Sequence, residues 1–277
     1  MAQHNNSRAL LATCVAAAAR AAEIIRRGAA TRHSLTWELK SQTDFVSAVD
    51  RDSERAIGEV VAERHRAARV LGEELSPSMS DRSGIVFIAD PLDGTTNFLH
   101  GFPWYAVSIA ALVDGELAAG AILNAANGEL FTATAGGGAR LNGQPITVSP
   151  ISEPTRSLIG TGFPFKDPHH IESYLASLPG LMRETAGLRR PGSAALDLAD
   201  VACGRFEAFW ELSLAPWDIA AGILLVREAG GVITDLAGAP CPVSQTGVVA
   251  GNPAMHKWLI ERVRGERLRA GANDGDA

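Results

Sequence analysis

Apolar residues at helical spacing open the chain and predict an amphipathic first helix, with Ser7 as its N-cap. The residues that carry this pattern are Leu11, Val15, Ala18, Ala22 and Ile25. The helical pattern returns over 51–69 with many charged positions, which predicts a second, solvent-facing helix. Between these two helices, the segment 40–49 is short and polar and predicts no regular element.

Short apolar runs follow, and each is bounded by turn signals. They predict strands over 69–72, 85–89, 105–112, 117–123 and 129–135. The dipeptides Asp114-Gly115, Asn127-Gly128 and Asn142-Gly143 are typical of tight hairpins. Consecutive strands joined in this way predict an antiparallel meander in the N-terminal half of the chain.

After Pro150, predicted strands and helices alternate, which favours a second, more open α/β layer. The strands are predicted over 158–162, 206–210, 232–234 and 247–250, and the helices over 169–177, 193–202, 217–229 and 253–264. The helix over 217–229 is predicted to be strongly amphipathic. We therefore expect an N-terminal half over 1–150, a C-terminal half over 151–265, and a flexible tail over 266–277.

Composition restricts the class of protein. The chain has 277 residues, 46% of them hydrophobic and 20% charged, which is typical of a globular protein of one large or two small domains. The net charge of −6 argues against a general nucleic-acid binder. Three cysteines without CxxC spacing predict no disulfide framework and a reducing, cytoplasmic location. The apolar stretch 9–22 is too short to span a membrane.

The segment with the sequence DPLDGTTNF, which begins at Asp90, is the main candidate for chemistry. The strand predicted over 85–89 delivers Asp90 at its carboxyl end, and Pro91 is expected to force a turn there. Asp93 follows three residues after Asp90, so one turn would bring both carboxylates to the same point. Hard cations such as Mg2+ prefer oxygen ligands of this kind. Taken singly, Asp-Pro and Asp-Gly are ordinary turn dipeptides, but the whole segment after a strand favours a metal site.

Gly94 adds a candidate anion site to this segment. A glycine lets the backbone approach a ligand closely, so the amides of residues 94–96 are expected to form an anion-binding nest at a helix start. A metal pair beside a phosphate cradle is what the hydrolysis of a phosphate ester needs.

Two further acidic positions support a metal site. Glu73 and Glu74 directly follow the strand predicted over 69–72, and we expect Glu73 to face the metals because successive side chains of a strand point to opposite faces. Asp218 lies in the first turn of a helix that Pro216 and Trp217 open, where the helix dipole favours a negative charge.

Taken together, these residues resemble the inositol monophosphatase family, over roughly residues 7–258. The segments that carry the resemblance are DPLDGTTN from Asp90, GEE from Gly72, PWD from Pro216, EAGG from Glu228, and Lys40, Asp44, Val46 and Asp50, with Ser47 in place of the usual threonine. The resemblance implies an α/β fold, a five-layer αβαβα sandwich of the sugar-phosphatase type. It also implies an antiparallel N-terminal sheet and a mixed C-terminal sheet.

The resemblance also implies the chemistry of the site, with two or three Mg2+ as cofactors. The implied metal ligands are Glu73, Asp90, the carbonyl of Leu92, Asp93 and Asp218, and the implied catalytic residues are Thr95, Asp50 and Glu73. Thr95 paired with Asp50 would orient a metal-activated water for direct attack on phosphorus, while the amides of Gly94 and Thr95 would hold the phosphate. No cysteine nucleophile is needed.

The expected function is hydrolysis of a phosphate monoester, with inositol 1-phosphate as the favoured substrate. Ser193, Ala194 and Glu211 occupy positions that line the sugar-alcohol site in inositol-phosphate members of the family, and a carboxylate at Glu211 would accept hydrogen bonds from a polyol. Histidinol phosphate and nucleotide 3′-bisphosphates are alternative substrates. A non-catalytic regulatory protein that binds transcription or RNA machinery is a further alternative. Lithium sensitivity and a homodimer are implied by the resemblance alone.

Overall fold

The computed structural model describes residues 2–34, 36–41, 44–165 and 168–273. Seven α-helices lie within these residues: α1 (Ala2–Ala30), α2 (Ala48–Arg64), α3 (Thr95–His100), α4 (Ile171–Glu184), α5 (Ala194–Ala202), α6 (Pro216–Glu228) and α7 (Pro253–Asn273). No helix in this described part is long and apolar enough to cross a membrane.

The strands form two large sheets and one hairpin. The hairpin pairs β1 (Trp37–Ser41) with β2 (Asp44–Ser47). The N-terminal sheet contains, in spatial order, β3 (Arg69–Gly72), β4 (Ile85–Asp93), β5 (Ala106–Val113), β6 (Glu116–Asn124), β7 (Leu130–Thr134), β8 (Gly138–Leu141) and β9 (Gln144–Ile146). The C-terminal sheet contains, in spatial order, β11 (Gly187–Arg189), β10 (Leu158–Thr161), β12 (Ala208–Leu214), β14 (Thr246–Gly251) and β13 (Val232–Asp235).

Helices and sheets alternate in five layers. Helices α1 and α2 cover one face of the N-terminal sheet, α5 and α6 lie between the two sheets, and α4 and α7 cover the outer face of the C-terminal sheet. Successive side chains of a strand point to opposite faces of the sheet. Phe209 of β12 packs in the central hydrophobic cluster, which contains α5 and α6, and Trp210 packs in the outer cluster, which contains residues of α4 and α7. The predicted αβαβα sandwich is therefore confirmed. The central cluster holds residues from both sides of Pro150, and the division of the chain at that point stays a prediction.

Two of the predicted hairpin turns show the backbone conformation that their sequences favour. Asp114 and Gly115 have φ angles of 51° and 87°, and Asn142 and Gly143 have φ angles of 50° and 80°. Left-handed angles at both central residues match the right-handed twist of the flanking strands. These turns join β5 to β6 and β8 to β9, which confirms the antiparallel meander.

The N-terminal sheet is not antiparallel throughout, so this part of the prediction is wrong at one edge. Strand β3 runs parallel to β4. The segment 73–84 connects the two strands as a crossover instead of a tight turn, and such a connection permits parallel pairing. The C-terminal sheet is mixed, as predicted, with parallel pairing of β10 to β11 and β12 and antiparallel pairing around β14.

Several local predictions also differ from the structure. Helix α6 is buried at every position over 219–226, because it lies between two sheets and needs an apolar surface all round, so the amphipathic prediction is wrong. Helix α1 begins at Ala2, which places Ser7 inside the helix and not at its N-cap. The β1–β2 hairpin forms where no element was predicted. Helix α7 continues to Asn273, into the stretch predicted as a tail, and residues 274–277 lie outside the described part.

Candidate active site

A β-bulge in β4 brings Asp90 and Asp93 to the same side of the strand. Asp90 lies opposite Ser108 of β5, whereas Asp93 lies opposite Ala106, so β4 contains one extra residue in this interval. Residues three apart on a regular strand point to opposite faces, and the extra residue removes that difference. Pro91, which has no N–H to donate, is tolerated at a bulge. The expected turn at Pro91 is therefore a bulge inside a longer strand.

Asp218 joins these two carboxylates from the other half of the chain. Each of the three residues offers a carboxylate oxygen, and these oxygens all lie within 4.8 Å of one another. Asp218 is in the first turn of α6, as predicted, and its Oδ2 accepts a hydrogen bond from the Ala215 amide at 2.7 Å. Glu73, directly after β3, lines the same cleft. Four acidic side chains from three separate segments therefore converge.

The electrostatics of this cluster fit a cation site. Burial raises the pKa of Asp90 well above its usual value, and the negative charges of Glu73, Asp93 and Asp218 raise it further. Like charges crowded in this way are stable only when protons or cations neutralise them. Hard divalent cations such as Mg2+ match a set of carboxylate and carbonyl oxygens, so the residues present fit the metal that the sequence predicts.

A second group of residues centres on Asp50 at the start of α2. Its Oδ2 accepts hydrogen bonds from the Ser47 amide at 2.9 Å and from the Ser47 hydroxyl at 2.6 Å, in a capping box. Its Oδ1 accepts a hydrogen bond from the Thr95 hydroxyl at 2.9 Å. The pKa of Asp50 is raised by burial, although the hydrogen bonds from Ser47 and Thr95 oppose this effect. The sequence-predicted pair of Thr95 and Asp50 is therefore in contact.

Gly94 is the N-cap of α3 and has a φ angle of 91°. A Cβ atom at this position would lie 2.9 Å from the carbonyl oxygen of Trp104, so both the backbone conformation and the space require glycine. Asn97 lies one turn later, and its Nδ2 donates to the carbonyls of Trp104 at 2.7 Å and Pro191 at 2.9 Å. The start of α3 is thus tied to a loop of the C-terminal half.

The start of helix α5 is hydrogen-bonded to Asp93. Oδ2 of Asp93 accepts hydrogen bonds from the Ser193 hydroxyl at 2.6 Å and from the Ala195 amide at 2.8 Å. Ser193 is also the N-cap of α5. Ser193 and Ala194 both line the cleft, so the structure brings them to the metal cluster. The Ser193 hydroxyl donates to a carboxylate there, and its predicted contact with substrate stays a prediction.

Glu211 lies on β12 at a second bulge. Glu211 pairs with Val248 of β14 and Leu214 with Thr246, so β12 also contains one extra residue here. A Cβ atom on Gly162 would lie 2.0 Å from the carboxyl carbon of Glu211, which shows how closely this side chain lies against the backbone. Glu211 lines the cleft, as its predicted role requires.

All of these groups surround one cleft of about 390 Å³. Of the predicted site residues, those that line it are Glu73, Asp90, Leu92, Asp93, Gly94, Thr95, Ser193, Ala194, Glu211 and Asp218, while Asp50 reaches it through Thr95. The side chains of Lys40 and Asp44 lie outside the described part.

Sequence reasoning missed several residues of this cleft, among them Phe163, Phe165 and Asp197. Phe163 and Phe165 line its wall, and the Arg190 guanidinium lies over both rings, 5.4 Å and 5.1 Å from their centroids. Asp197, which was not among the predicted site residues, also lines the cleft with a buried carboxyl group. Asp197 follows Ser193 by four residues, and this helical spacing is the signal that would have placed it on the same face of α5.

The cysteines lie away from the cleft lining. All three are free thiols, which agrees with the prediction of no disulfide framework. Burial raises the pKa of Cys203 to about 11 and of Cys241 to about 12, and it raises the pKa of Cys14 as well. Thiols of such high pKa are poor nucleophiles near neutral pH.

The layered sandwich with an acidic cleft defines the class of this protein as an α/β protein whose clustered carboxylates could hold a divalent cation. Within that class, the chain belongs to the inositol monophosphatase family, whose model matches residues 6–268. Membership supports a metal-dependent phosphatase, and it agrees with the resemblance seen in the sequence.

Individual relatives carry two different names. A protein named inositol-1-monophosphatase from Rhizobium meliloti (strain 1021) is 42% identical over 256 residues, which are 92% of this chain and 96% of the relative. A protein named putative Nus factor SuhB from Neisseria meningitidis serogroup B is 43% identical over 251 residues, which are 91% of this chain and 96% of the relative.

A solved structure shows the same fold. The crystal structure of extragenic suppressor protein suhB from Bartonella henselae superposes with a TM-score of 0.88 at 41% identity. The match covers 92% of this chain and 98% of that one.

Proposed function

We propose that this chain is a Mg2+-dependent phosphate monoester hydrolase and that its substrate is inositol 1-phosphate. The observation that carries the proposal is the convergence of Asp90, Asp93 and Asp218 in one cleft with the hydrogen-bonded pair of Thr95 and Asp50. Membership of the family supports the class of reaction, and the name of the Rhizobium meliloti relative supports the substrate.

The acidic cluster would hold two or three Mg2+, with Glu73, Asp90, the carbonyl of Leu92, Asp93 and Asp218 as ligands. When bound, the cations would supply Lewis acidity at the phosphate and lower the pKa of water. The protein itself orients the ligands. Leu92 donates its amide to Asp90 Oδ1 at 2.9 Å, and the start of α5 holds Asp93.

Thr95 and Asp50 would orient the attacking water and accept its proton. Thr95 Oγ1 lies 2.9 Å from both Asp50 Oδ1 and the carbonyl oxygen of Leu92. When its single proton points to Asp50, the lone pairs on Oγ1 are left to accept a hydrogen bond from water. As the water loses its proton to Oγ1, the hydroxyl proton of Thr95 moves to Asp50. Burial raises the pKa of Asp50, and the stronger base that results favours this transfer.

Substrate orientation would come from groups around the rest of the cleft. The amides of Gly94 and Thr95 lie at the start of α3 and would hold phosphate oxygens. Ser193 and Ala194 would line the alcohol side, and Glu211, lodged against Gly162, would accept hydrogen bonds from hydroxyl groups of the polyol.

The test is release of inorganic phosphate from inositol 1-phosphate, histidinol phosphate and adenosine 3′,5′-bisphosphate, compared by kcat/KM with and without Mg2+. We expect inositol 1-phosphate to give the highest value and turnover to require the metal. Asp93→Asn is expected to abolish turnover without loss of folding. Asp114→Asn is the matched control, because Asp114 lies in the β5–β6 turn, where asparagine also tolerates a positive φ. Full activity of Asp93→Asn would refute the metal assignment.

Three finer predictions accompany the proposal. We expect lithium to inhibit turnover in the same assay. Retained turnover at high lithium would count against a close relation to the lithium-sensitive members of the family. A homodimer would be measured by sedimentation at several protein concentrations. The cytoplasmic location stays a prediction from the cysteine pattern.

A second candidate function rests on the relative named putative Nus factor SuhB. In that case the chain would bind transcription machinery independently of catalysis. Affinity capture with the Asp93→Asn variant, followed by mass spectrometry for RNA polymerase subunits, tests it. The complete set of acidic residues favours retained catalysis, because a pure binding protein has no need to crowd so many like charges.

A further inference from the structure

Asp197 is a buried carboxyl group in the wall of the cleft, outside the set of residues that the proposed reaction uses. It lies in the first turn of α5 and is 1% exposed. Among the described residues, no hydrogen-bond partner reaches Oδ1 of Asp197. No other described residue that lines the cleft has a buried side-chain nitrogen or oxygen without a partner. A buried polar group without a partner is unfavourable, so its presence in a cleft points to a ligand.

The direction of α5 places Asp197 beyond the acidic cluster. Ser193, at the start of the helix, donates its hydroxyl to Asp93 at 2.6 Å. Asp197 comes four residues later, on the same face and about 6 Å further along the axis, close to one helical turn away. A substrate with its phosphate at the cluster would therefore extend its alcohol along α5 toward Asp197 and Glu211.

Burial and the charges around Asp197 affect the protonation of its carboxyl group. Burial raises its pKa well above the usual value, the carboxylates of Glu211, Asp200 and Asp93 raise it further, and the Arg190 guanidinium opposes them. The ionised carboxylate accepts hydrogen bonds, and the neutral carboxyl group can also donate one through its O–H. A substrate hydroxyl also donates and accepts, so the two groups are complementary. Rotation about the last side-chain bond exchanges the two oxygens, because that torsion is broad and nearly two-fold.

We infer that Asp197 is a substrate-binding residue that hydrogen-bonds a second hydroxyl of the substrate, next to the hydroxyl that donates a hydrogen bond to Glu211. The cleft then selects phosphate esters of polyols, with hydroxyl groups on more than one carbon, over phosphate esters of simple alcohols. This inference rests on the proposed function and extends it to the choice of the alcohol.

The experiment compares inositol 1-phosphate with cyclohexyl phosphate, which has the same ring without the hydroxyl groups. We expect Asp197→Ala to lower kcat/KM for inositol 1-phosphate about tenfold, the usual effect of one lost hydrogen bond, and to leave cyclohexyl phosphate within about twofold. Asp197→Asn keeps the shape and offers an NH2 group as donor and a carbonyl oxygen as acceptor, so it should retain most of the preference. Glu207→Gln is the matched control, because Glu207 is also a buried acidic residue of the C-terminal half and does not line the cleft.

The outcomes separate this inference from the proposed function. An unchanged ratio of the two substrates in Asp197→Ala, or an equal loss for both, would overturn the inference and leave a structural role. An equal loss of preference in Asp197→Asn and Asp197→Ala would overturn the hydrogen-bond account. Absence of Mg2+-dependent turnover of inositol 1-phosphate by the unchanged chain would instead refute the proposed function. Thermal unfolding of each variant shows whether it is folded.

Discussion

The hydroxyl of Thr95 lies 2.9 Å from Oδ1 of Asp50, and this hydrogen bond joins the start of α3 to the start of α2 across 45 residues of sequence. Asp50 uses its other oxygen, Oδ2, to cap its own helix through Ser47. Asp218 also accepts, through its Oδ2, an amide hydrogen bond at the start of its helix. Two acidic residues of the site are therefore held by the helices that they cap, which fixes their orientation before any ligand binds.

Removal of the Thr95 hydroxyl tests the proposed proton path. Thr95→Val keeps the size of the side chain, and we expect kcat to fall by about a hundredfold or more, because a positioned general base contributes at least that much. Thr132→Val is the matched control, since Thr132 is nearly buried on β7 and does not line the cleft. Steady-state kinetics with inositol 1-phosphate measures both. A kcat for Thr95→Val close to that of the control would contradict the path.

Ser47 is expected to act through Asp50. Ser47→Ala removes the hydroxyl that accepts from the Val49 amide and donates to Asp50, so we expect a loss of about 1 kcal/mol in the free energy of unfolding together with reduced kcat. Ser47→Thr retains the hydroxyl and should keep both properties near those of the unchanged protein. Urea unfolding and kinetics measure the two effects. The same losses in Ser47→Thr would show that the hydroxyl is not the cause.

The contact between Gly162 and Glu211 predicts an effect on substrate choice. A methyl group at position 162 would collide with the carboxylate of Glu211, which must then move away from its place in the cleft. We expect Gly162→Ala to lower kcat/KM for inositol 1-phosphate about tenfold, with a much smaller effect on cyclohexyl phosphate. Gly58→Ala is the matched control, because nothing lies within 4 Å of a Cβ atom there. Equal behaviour of the two variants would show that Glu211 does not contact the polyol.

Asp200 predicts a pH dependence of stability. Burial raises its pKa from 3.8 to about 6, although Arg205 opposes the shift. Because the pKa in the folded state is the higher one, the folded protein binds more protons between these values. The contribution to stability is therefore complete below about pH 4 and is lost as the pH rises through about 6, and it amounts to about 3 kcal/mol at most.

Thermal unfolding of the unchanged protein and of Asp200→Asn, measured between pH 4 and pH 7, checks this prediction. Stability should fall more steeply with rising pH in the unchanged protein, because asparagine does not titrate. Parallel curves would contradict the assignment of this titration to Asp200.

Most of the candidate site follows from local sequence. Asp90 and Glu73 each come at the end of a short apolar run, and Asp218 comes just after a helix-starting proline, so their places in the elements were predictable. The bulge that brings Asp90 and Asp93 together was not predictable from the sequence, because it depends on the pairing of β4 with β5. The same holds for Glu211, whose bulge forms against β14.

Most of the strands and helices, the tight turns and the family were determined by the sequence itself, because periodicity, turn residues and short motifs are local properties. Tertiary structure alone decided that α6 is buried all round, that β3 pairs parallel to β4, and that Asp197 is enclosed in the wall of the cleft. Each of these depends on which distant segments lie against one another, and the burial of a side chain is set by those neighbours and not by the residues beside it in the chain.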